Sequence, residues 1–374
     1  AAKDLRGTDS ELQKLLARVP PVLEVLSPDN GSELIERFAT IKVQLDTAPD
    51  AAKRLKVIVN ERNVSRSVSR TALSSGGAAV KGQFEIKVPL RKGRNDIHLS
   101  ATDQAGFYSE RRLVVDSTLD EVTFSRGRLL VAAVGVNDYP KMPPVCAGPA
   151  GSCQLSFAVA DAQRFTEIVS SNVRPLFTEM KTLLLVNNGE HEPTADNISD
   201  KLEEFFADAK PEDTVMLFLA GHGVNIGEDY YFLSTDAHMR KSGKYRKSSI
   251  VRWDVLSDVL EEADGTRLMF VDTCHAANAY NASLKKKAGD GRIIVFSATR
   301  ANSVSQELAE HGHGVFTYAL VRGLGGEADS NSDQAVRILE LGSTTSNIVR
   351  NLTNQEQTPV FYMSGLEDFI IAQP

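Results

Sequence analysis

The spacing of hydrophobic and polar residues changes once along the chain, close to residue 118. Before that point, from about Val22 to Val115, apolar residues recur at every second position between turn-forming segments rich in Gly, Pro, Ser and Asn. The alternating sets are Ile41-Val43-Leu45, Leu55-Val57-Val59, Phe84-Ile86-Val88 and Ile97-Leu99-Ala101. A period of two is typical of half-buried strands, so residues 20–118 are predicted to form an antiparallel β-sandwich.

From residue 124 onwards, short continuous apolar runs alternate with helical patterns. The predicted strands are Leu129–Val136, Thr182–Val186, Thr214–Leu219, Arg267–Val271 and Arg292–Ser297. The predicted helices are Leu155–Ile168, Ala195–Phe206, Trp253–Glu262, Phe316–Gly323 and Ala335–Leu352. This alternation indicates a mostly parallel sheet covered by helices on both faces, so residues 124–374 are assigned to the α/β class.

The local sequence pattern also predicts the structure of two further segments. Residues 1–19 carry Leu12, Leu15 and Leu16 at helical spacing and are predicted to be a linker helix. The segment Gly323–Ser332 is rich in Gly, Asp and Ser, which predicts a mobile loop.

Composition excludes several classes of function. The 374 residues are 42% hydrophobic and 24% charged, and no apolar run is long enough to span a bilayer, so no membrane partner is expected. The formal charge of −7 gives no general attraction to nucleic acid. The basic clusters 240–247 and 285–287 are short and typical of solvated loops, so no nucleic-acid partner is expected either.

The three cysteines argue against a disulfide framework. An odd, low count is compatible with a reducing cytosol and one working thiol, which predicts a cytoplasmic location. The alternative in which Cys146 and Cys153 pair with each other stays open.

Two of the predicted strands run directly into unusual residues. The strand at 214–219 is followed by Ala220-Gly221-His222-Gly223, and the strand at 267–271 by Asp272-Thr273-Cys274-His275. The carboxyl ends of parallel strands lie along one edge of a sheet, where loops form the ligand crevice. His222 and Cys274 are therefore expected to face each other there.

A Cys and a His in contact are sufficient for acyl transfer. A thiol with a pKa near about 8.5 is only slightly ionised at neutral pH, and an adjacent imidazole can accept its proton and later protonate the leaving amine. The developing oxyanion also needs hydrogen-bond donors. The backbone N–H groups of Gly223 and Cys274 are the best placed candidates.

These residues resemble the caspase and metacaspase clan of cysteine endopeptidases. His222 precedes Cys274 by 52 positions, each at a strand end, as expected for that clan. Further matches are Val134–Tyr139 on the first strand and Gly314–Leu320 near the end of the chain. The sequence around Cys274 is closer to the pattern of metacaspases and bacterial orthocaspases than to that of eukaryotic caspases.

The resemblance implies a substrate pocket for a basic residue before the scissile bond (P1). The metacaspase pocket acid two positions before the nucleophile corresponds to Asp272, and a second acid aligns with Asp161; both would bind Arg or Lys by charge-assisted hydrogen bonds. The substrate backbone would add as a strand near Ser297. From the residues alone, Asp272 could instead cap a loop or helix, and Asp161 could be a solvated acid.

The family pattern also sets expectations for cofactors and maturation. Ala220 replaces the family's Ser, and Asn281 replaces an acidic calcium ligand, so calcium dependence is not implied and no cofactor is expected. No CxxC or HExxH spacing occurs, so no metal site is expected at His275, His311 or His313. The exposed basic run Lys285, Lys286 and Lys287 in the loop after the nucleophile predicts autoprocessing there.

The predicted function is therefore cleavage of protein or peptide substrates after Arg or Lys. One alternative is aspartate-directed cleavage of the eukaryotic caspase type. The other is a non-catalytic scaffold in which the N-terminal sandwich, which resembles a bacterial immunoglobulin-like module, binds a partner.

Overall fold

The structure is a computed structural model in which two compact units divide the chain between Phe124 and Ser125. It describes residues 21–36, 38–46, 55–60, 62–63, 70–73, 81–90, 93–102, 107–118, 127–143, 153–210, 212–227, 229–273, 293–298, 307–308, 312–363 and 368–374. The predicted helix in residues 1–19 lies outside these ranges.

The first unit is a two-sheet β-sandwich. Its strands are β1 Val22–Ser27, β2 Ser32–Leu34, β3 Phe38–Asp46, β4 Leu55–Val59, β5 Arg62–Asn63, β6 Arg70–Leu73, β7 Lys81–Pro89, β8 Gly93–Thr102 and β9 Tyr108–Ser117. One sheet has the order β1-β3-β7-β6 and the other β2-β9-β8-β4-β5. Alternate residues of both sheets, including Ile41, Ile86, Val57 and Leu99, share one fully buried core, as the period of two predicts.

The second unit is built on a six-stranded sheet of order β11-β10-β12-β16-β17-β21. Its strands are β10 Leu129–Gly135, β11 Met180–Val186, β12 Thr214–Gly221, β16 Thr266–Thr273, β17 Ile294–Ser297 and β21 Val360–Tyr362. All neighbours are parallel except β17 and β21. The shorter strands are β13 Gly223–Ile226, β14 Asp229–Phe232, β15 Val251–Arg252, β18 Glu307–Leu308, β19 His313–Gly314, β20 Val336–Arg337 and β22 Ile370–Ala372.

Helices cover both faces of this sheet, which confirms the α/β class. They are α1 Ala158–Ile168, α2 Ala195–Phe206, α3 Trp253–Glu262, α4 Val315–Arg322 and α5 Ile338–Leu352. Leu130, Ala132 and Val134 of β10 face the core under α2 and α3. The alternate residues of β10 face the core under α1, α4 and α5. Burial on both faces explains why the strands read as continuous apolar runs.

The segment predicted to be a mobile loop, Gly323–Ser332, has defined structure instead. It begins with a π-helical turn, Gly323–Glu327. The Asp329 carboxylate then accepts hydrogen bonds from the backbone N–H groups of Asp333 and Gln334. Short polar side chains can hydrogen-bond nearby backbone in this way, so the composition typical of a loop here specifies an ordered turn.

No helix in the described part of the chain has both the length and the hydropathy needed to cross a membrane.

Candidate active site

The register of β12 and β16 determines which of their residues are neighbours at the carboxyl edge of the sheet. The two strands are parallel, with Ala220 paired to Asp272 and Gly221 paired to Thr273. His222 is the next residue after Gly221, and Cys274 is the next after Thr273. Cys274 itself lies outside the described residues, so its side chain is not part of the geometry that follows.

The ring of His222 is oriented by one backbone carbonyl group. Its Nε2 lies 3.0 Å from the carbonyl oxygen of Cys153. A carbonyl oxygen only accepts, so Nε2 carries the proton and Nδ1 of the neutral ring is the acceptor. Burial lowers the pKa of His222, and the Cys153 hydrogen bond raises it by less. The ring is therefore neutral at neutral pH, with Nδ1 able to accept a proton.

Tyr139 contacts His222 through a hydrogen bond and through its ring. Its hydroxyl accepts a hydrogen bond from the His222 backbone N–H at 2.8 Å and donates one to the Val136 carbonyl at 3.1 Å. The two rings lie 4.9 Å apart between centroids, and Tyr139 is fully buried. Sequence reasoning named Tyr139 only as part of the matching segment 134–139 and did not assign it a role.

The glycines beside His222 are required by close contacts. Gly221 has φ +155°, and a Cβ there would lie 2.9 Å from the Tyr139 hydroxyl. A Cβ on Gly223 would collide with the Tyr230 hydroxyl. That hydroxyl is hydrogen-bonded to the Thr273 hydroxyl, one residue before Cys274. Gly223, the predicted oxyanion donor, thus opens β13 in a closely packed, buried position.

Cys153 is disulfide-bonded. The sequence argued only against a disulfide framework and left a pairing of Cys153 open, and a disulfide is present at this position. The two other cysteines, Cys146 and Cys274, lie outside the described residues. The bond is next to the carbonyl that orients His222, so it restrains the backbone on which the histidine depends.

The two acids predicted for the P1 pocket lie together. Asp161 and Asp272 are 3% and 6% exposed. A Cβ placed on Gly314 would lie 3.0 Å from Asp161 Oδ2 and 2.7 Å from Asp272 Oδ2. Both carboxylates therefore converge on one point at the edge of the sheet. The burial of Asp161 excludes the alternative in which it is a solvated acid.

Backbone and side-chain donors surround both carboxylates. Gly314 N–H donates to the two oxygens of Asp161 at 3.2 and 3.1 Å, and His313 Nδ1 lies 2.9 Å from Asp161 Oδ1. The Thr317 hydroxyl and N–H donate to Asp272 Oδ2 at 2.7 and 3.2 Å. Because Thr317 is in the first turn of α4, Asp272 does cap a helix, as its alternative interpretation predicted.

Ser297 lies on the strand next to β16, where it pairs with Val271, the residue before Asp272. It is 3% exposed, and its strand pairs with β16 on one side and β21 on the other. The Ala298 carbonyl accepts a hydrogen bond from Gln357. An added substrate strand would therefore have to begin beyond Ala298, where the described residues end.

The remaining predicted residues are outside the described ranges. They are Lys285, Lys286 and Lys287, together with His275 and His311. Within the described ranges, no group of three His, Cys, Asp or Glu side chains could hold a metal ion.

Comparison with known proteins identifies the second unit. The family model of the caspase domain, peptidase family C14, matches residues 128–370, more than half of the chain. No protein of curated function matches in sequence.

Solved structures that are similar to parts of the chain have low TM-scores. The Ig1-2 module of the Drosophila receptor protein tyrosine phosphatase DLAR is 15% identical, with a TM-score of 0.20, covering 31% of this chain and 61% of that one. The BIgI domain of the β protein from S. agalactiae, bound to CEACAM1, is 16% identical, with a TM-score of 0.18, covering 27% and 100%.

Proposed function

The chain belongs to the caspase domain family of cysteine peptidases, and from this we propose that it is an endopeptidase that cleaves after Arg or Lys through a Cys274–His222 dyad. The observation that carries the proposal is the pairing of Gly221 with Thr273 in adjacent parallel strands. This register supports the dyad because its two members follow directly after a paired position.

In the proposed reaction, His222 Nδ1 accepts the proton of the Cys274 thiol. The thiolate attacks the carbonyl carbon of the scissile bond, and the N–H groups of Gly223 and Cys274 stabilise the oxyanion. The imidazolium then protonates the leaving amine as the C–N bond breaks, which leaves an acyl-thioester. Water, deprotonated by His222, hydrolyses the thioester and restores the thiol. The single tautomer imposed by the Cys153 carbonyl supports this role, since it directs Nδ1 to the proton transfer.

Substrate selection in this proposal rests on the buried acids. Two carboxylates that converge within hydrogen-bonding reach of one point create a local negative potential. A guanidinium or ammonium group entering there would neutralise that potential and make charge-assisted hydrogen bonds. An aspartate side chain would be repelled, which disfavours the caspase-type specificity.

Four fluorogenic peptides that differ only at P1 (Arg, Lys, Asp or Leu) test the proposal, with and without calcium. Native protein should cleave the Arg and Lys peptides, and Cys274→Ala should abolish cleavage. Asp272→Asn should lower kcat/KM for both basic peptides by about ten- to a hundredfold, since a charge-assisted contact of about 1.5–3 kcal/mol is lost. Asp200→Asn, at an exposed position on α2, is the matched control and should be neutral.

Each contrary outcome has a distinct meaning. Cleavage after Asp alone would overturn the pocket assignment and leave the dyad. Failure to cleave any peptide, together with no labelling of Cys274 by an activated-thiol probe, would favour the scaffold.

We also propose autoprocessing in the segment that contains Lys285, Lys286 and Lys287. The argument is that a run of three lysines following the nucleophile in sequence suits a site selective for basic residues. Active enzyme should yield two fragments on prolonged incubation, and Cys274→Ala should remain a single band. A single intact band from active enzyme would refute this step.

A further inference from the structure

One five-residue segment holds both acids of the proposed P1 pocket. His313 and Gly314 form β19, and Thr317 is in the first turn of α4. From this segment, Asp161 receives hydrogen bonds from the His313 ring and the Gly314 N–H. Asp272 receives them from the Thr317 hydroxyl and N–H. The two carboxylates come from different elements, α1 and β16, so this segment is what relates their orientations.

The Thr317 contact is fully buried and the His313 contact is partly buried. The Thr317 hydroxyl lies 2.7 Å from Asp272 Oδ2 and is fully buried. His313 Nδ1 lies 2.9 Å from Asp161 Oδ1, and the histidine side chain is 23% exposed. The carboxylate oxygens accept in these contacts, so His313 Nδ1 and the Thr317 hydroxyl are the donors. Such hydrogen bonds restrict rotation of the carboxylate plane.

A fixed carboxylate plane matters more for arginine than for lysine. Guanidinium is a planar fork that matches carboxylates in a bidentate arrangement. Ammonium is a compact charge on a flexible stem and tolerates many carboxylate orientations. A pocket with pinned carboxylates therefore discriminates by geometry as well as by charge.

We propose that His313 and Thr317 are positioning residues that make the pocket prefer arginine over lysine at P1. This inference rests on the proposed function, because it assumes that Asp161 and Asp272 bind the P1 side chain. It assigns specificity to two residues that need not touch the substrate.

The test uses two peptides that differ only in P1 Arg or Lys, with the 374-residue protein. Thr317→Val removes the hydroxyl and keeps the shape of the side chain, and Thr317→Ser restores the donor. His313→Phe and His313→Gln form the equivalent pair at Asp161. Thr345→Val is the matched control, since the Thr345 hydroxyl is buried without a hydrogen-bond partner among the described residues.

Native protein should prefer Arg. Thr317→Val and His313→Phe should each raise KM for the Arg peptide by about tenfold and the Lys peptide less, so that the Arg/Lys ratio of kcat/KM falls. Thr317→Ser and His313→Gln should recover the ratio, and the control should not change it. The rate of Cys274 alkylation by iodoacetamide should stay unchanged in all folded variants.

Two results would overturn the inference. One is an unchanged Arg/Lys ratio in the folded Val and Phe variants. Another is an equal loss for both peptides accompanied by slower alkylation, which would mean a merely structural role. If Thr317→Val does not fold, the His313 pair decides. Native protein that cleaves neither peptide would overturn the proposed function itself, and that result is read without any variant.

Discussion

Replacing Tyr139 by phenylalanine removes a single hydroxyl that holds the backbone of the proposed base. That hydroxyl accepts the His222 N–H and donates to the Val136 carbonyl. Phenylalanine fills the same space, so Tyr139→Phe creates no cavity. It leaves one buried donor and one buried acceptor without their partner.

The size of the stability loss follows from the His222 N–H and the Val136 carbonyl, which lose their hydrogen-bond partner. An unsatisfied buried polar group costs about 1–3 kcal/mol, so the unit should lose about 2–4 kcal/mol of unfolding free energy after partial relaxation. For a unit of this size, that lowers the thermal midpoint by roughly 4–15 °C. Because His222 can then move relative to the nucleophile, kcat should fall by about ten- to a hundredfold, as expected for a displacement near 1 Å.

Both activity and stability must be measured on Tyr139→Phe, so that a loss of His222 positioning can be told apart from a loss of folding. The assay is kcat and KM on the P1 Arg peptide at a temperature where both proteins are folded, with thermal unfolding alongside. Tyr108→Phe, at an exposed position of the first unit, is the control. A Tyr139→Phe variant with native kcat would show that the hydroxyl does not position His222, whatever its effect on stability.

Three other predictions concern pH, backbone conformation and a buried ion pair. Because burial lowers the pKa of His222, the acidic limb of the kcat/KM profile should lie below pH 6.5, and an acidic limb above pH 6.5 would contradict the assignment of His222 as the base. The same group should contribute folding stability that is present above pH 6.5 and is lost as the pH falls through the pKa of the folded protein. Gly221→Ala, at φ +155°, should lower kcat more than tenfold through backbone strain, and native kcat would refute the requirement for glycine. Asp213→Asn should lower the free energy of unfolding by about 3–5 kcal/mol, because Asp213 is 1% exposed and pairs with Arg128. Chemical denaturation measures this loss, and the control Asp208→Asn, at an exposed position, should lower the free energy of unfolding far less.

The local pattern predicted several elements with their observed bounds. The helices Ala195–Phe206 and Trp253–Glu262 begin and end where the sequence predicts. Their amphipathic spacing is strong, and Thr194 caps the first of them by accepting the Asn197 N–H. These signals lie within a few residues of the helix ends, so no distant contact is needed to read them.

The start of α1 illustrates the limit of that approach. The pattern predicted a helix from Leu155, but the helix begins at Ala158. The Asn137 side chain, from the end of β10, accepts the Val159 N–H and so caps this helix from another part of the chain. A cap supplied across 22 residues leaves no signal beside the helix itself.

The sequence by itself determined the fold class, the strand ends that carry His222 and Cys274, and the candidate acids Asp161 and Asp272. Periodicity reports which face of an element is buried, and motif spacing reports which residues follow a strand. Only the tertiary structure decided that the Cys153 carbonyl selects the His222 tautomer, and that His313 and Thr317 hold the two acids. The physical reason is that these partners are 45 to 152 residues apart in the chain. Their contact depends on strand register and helix packing, which no local pattern encodes.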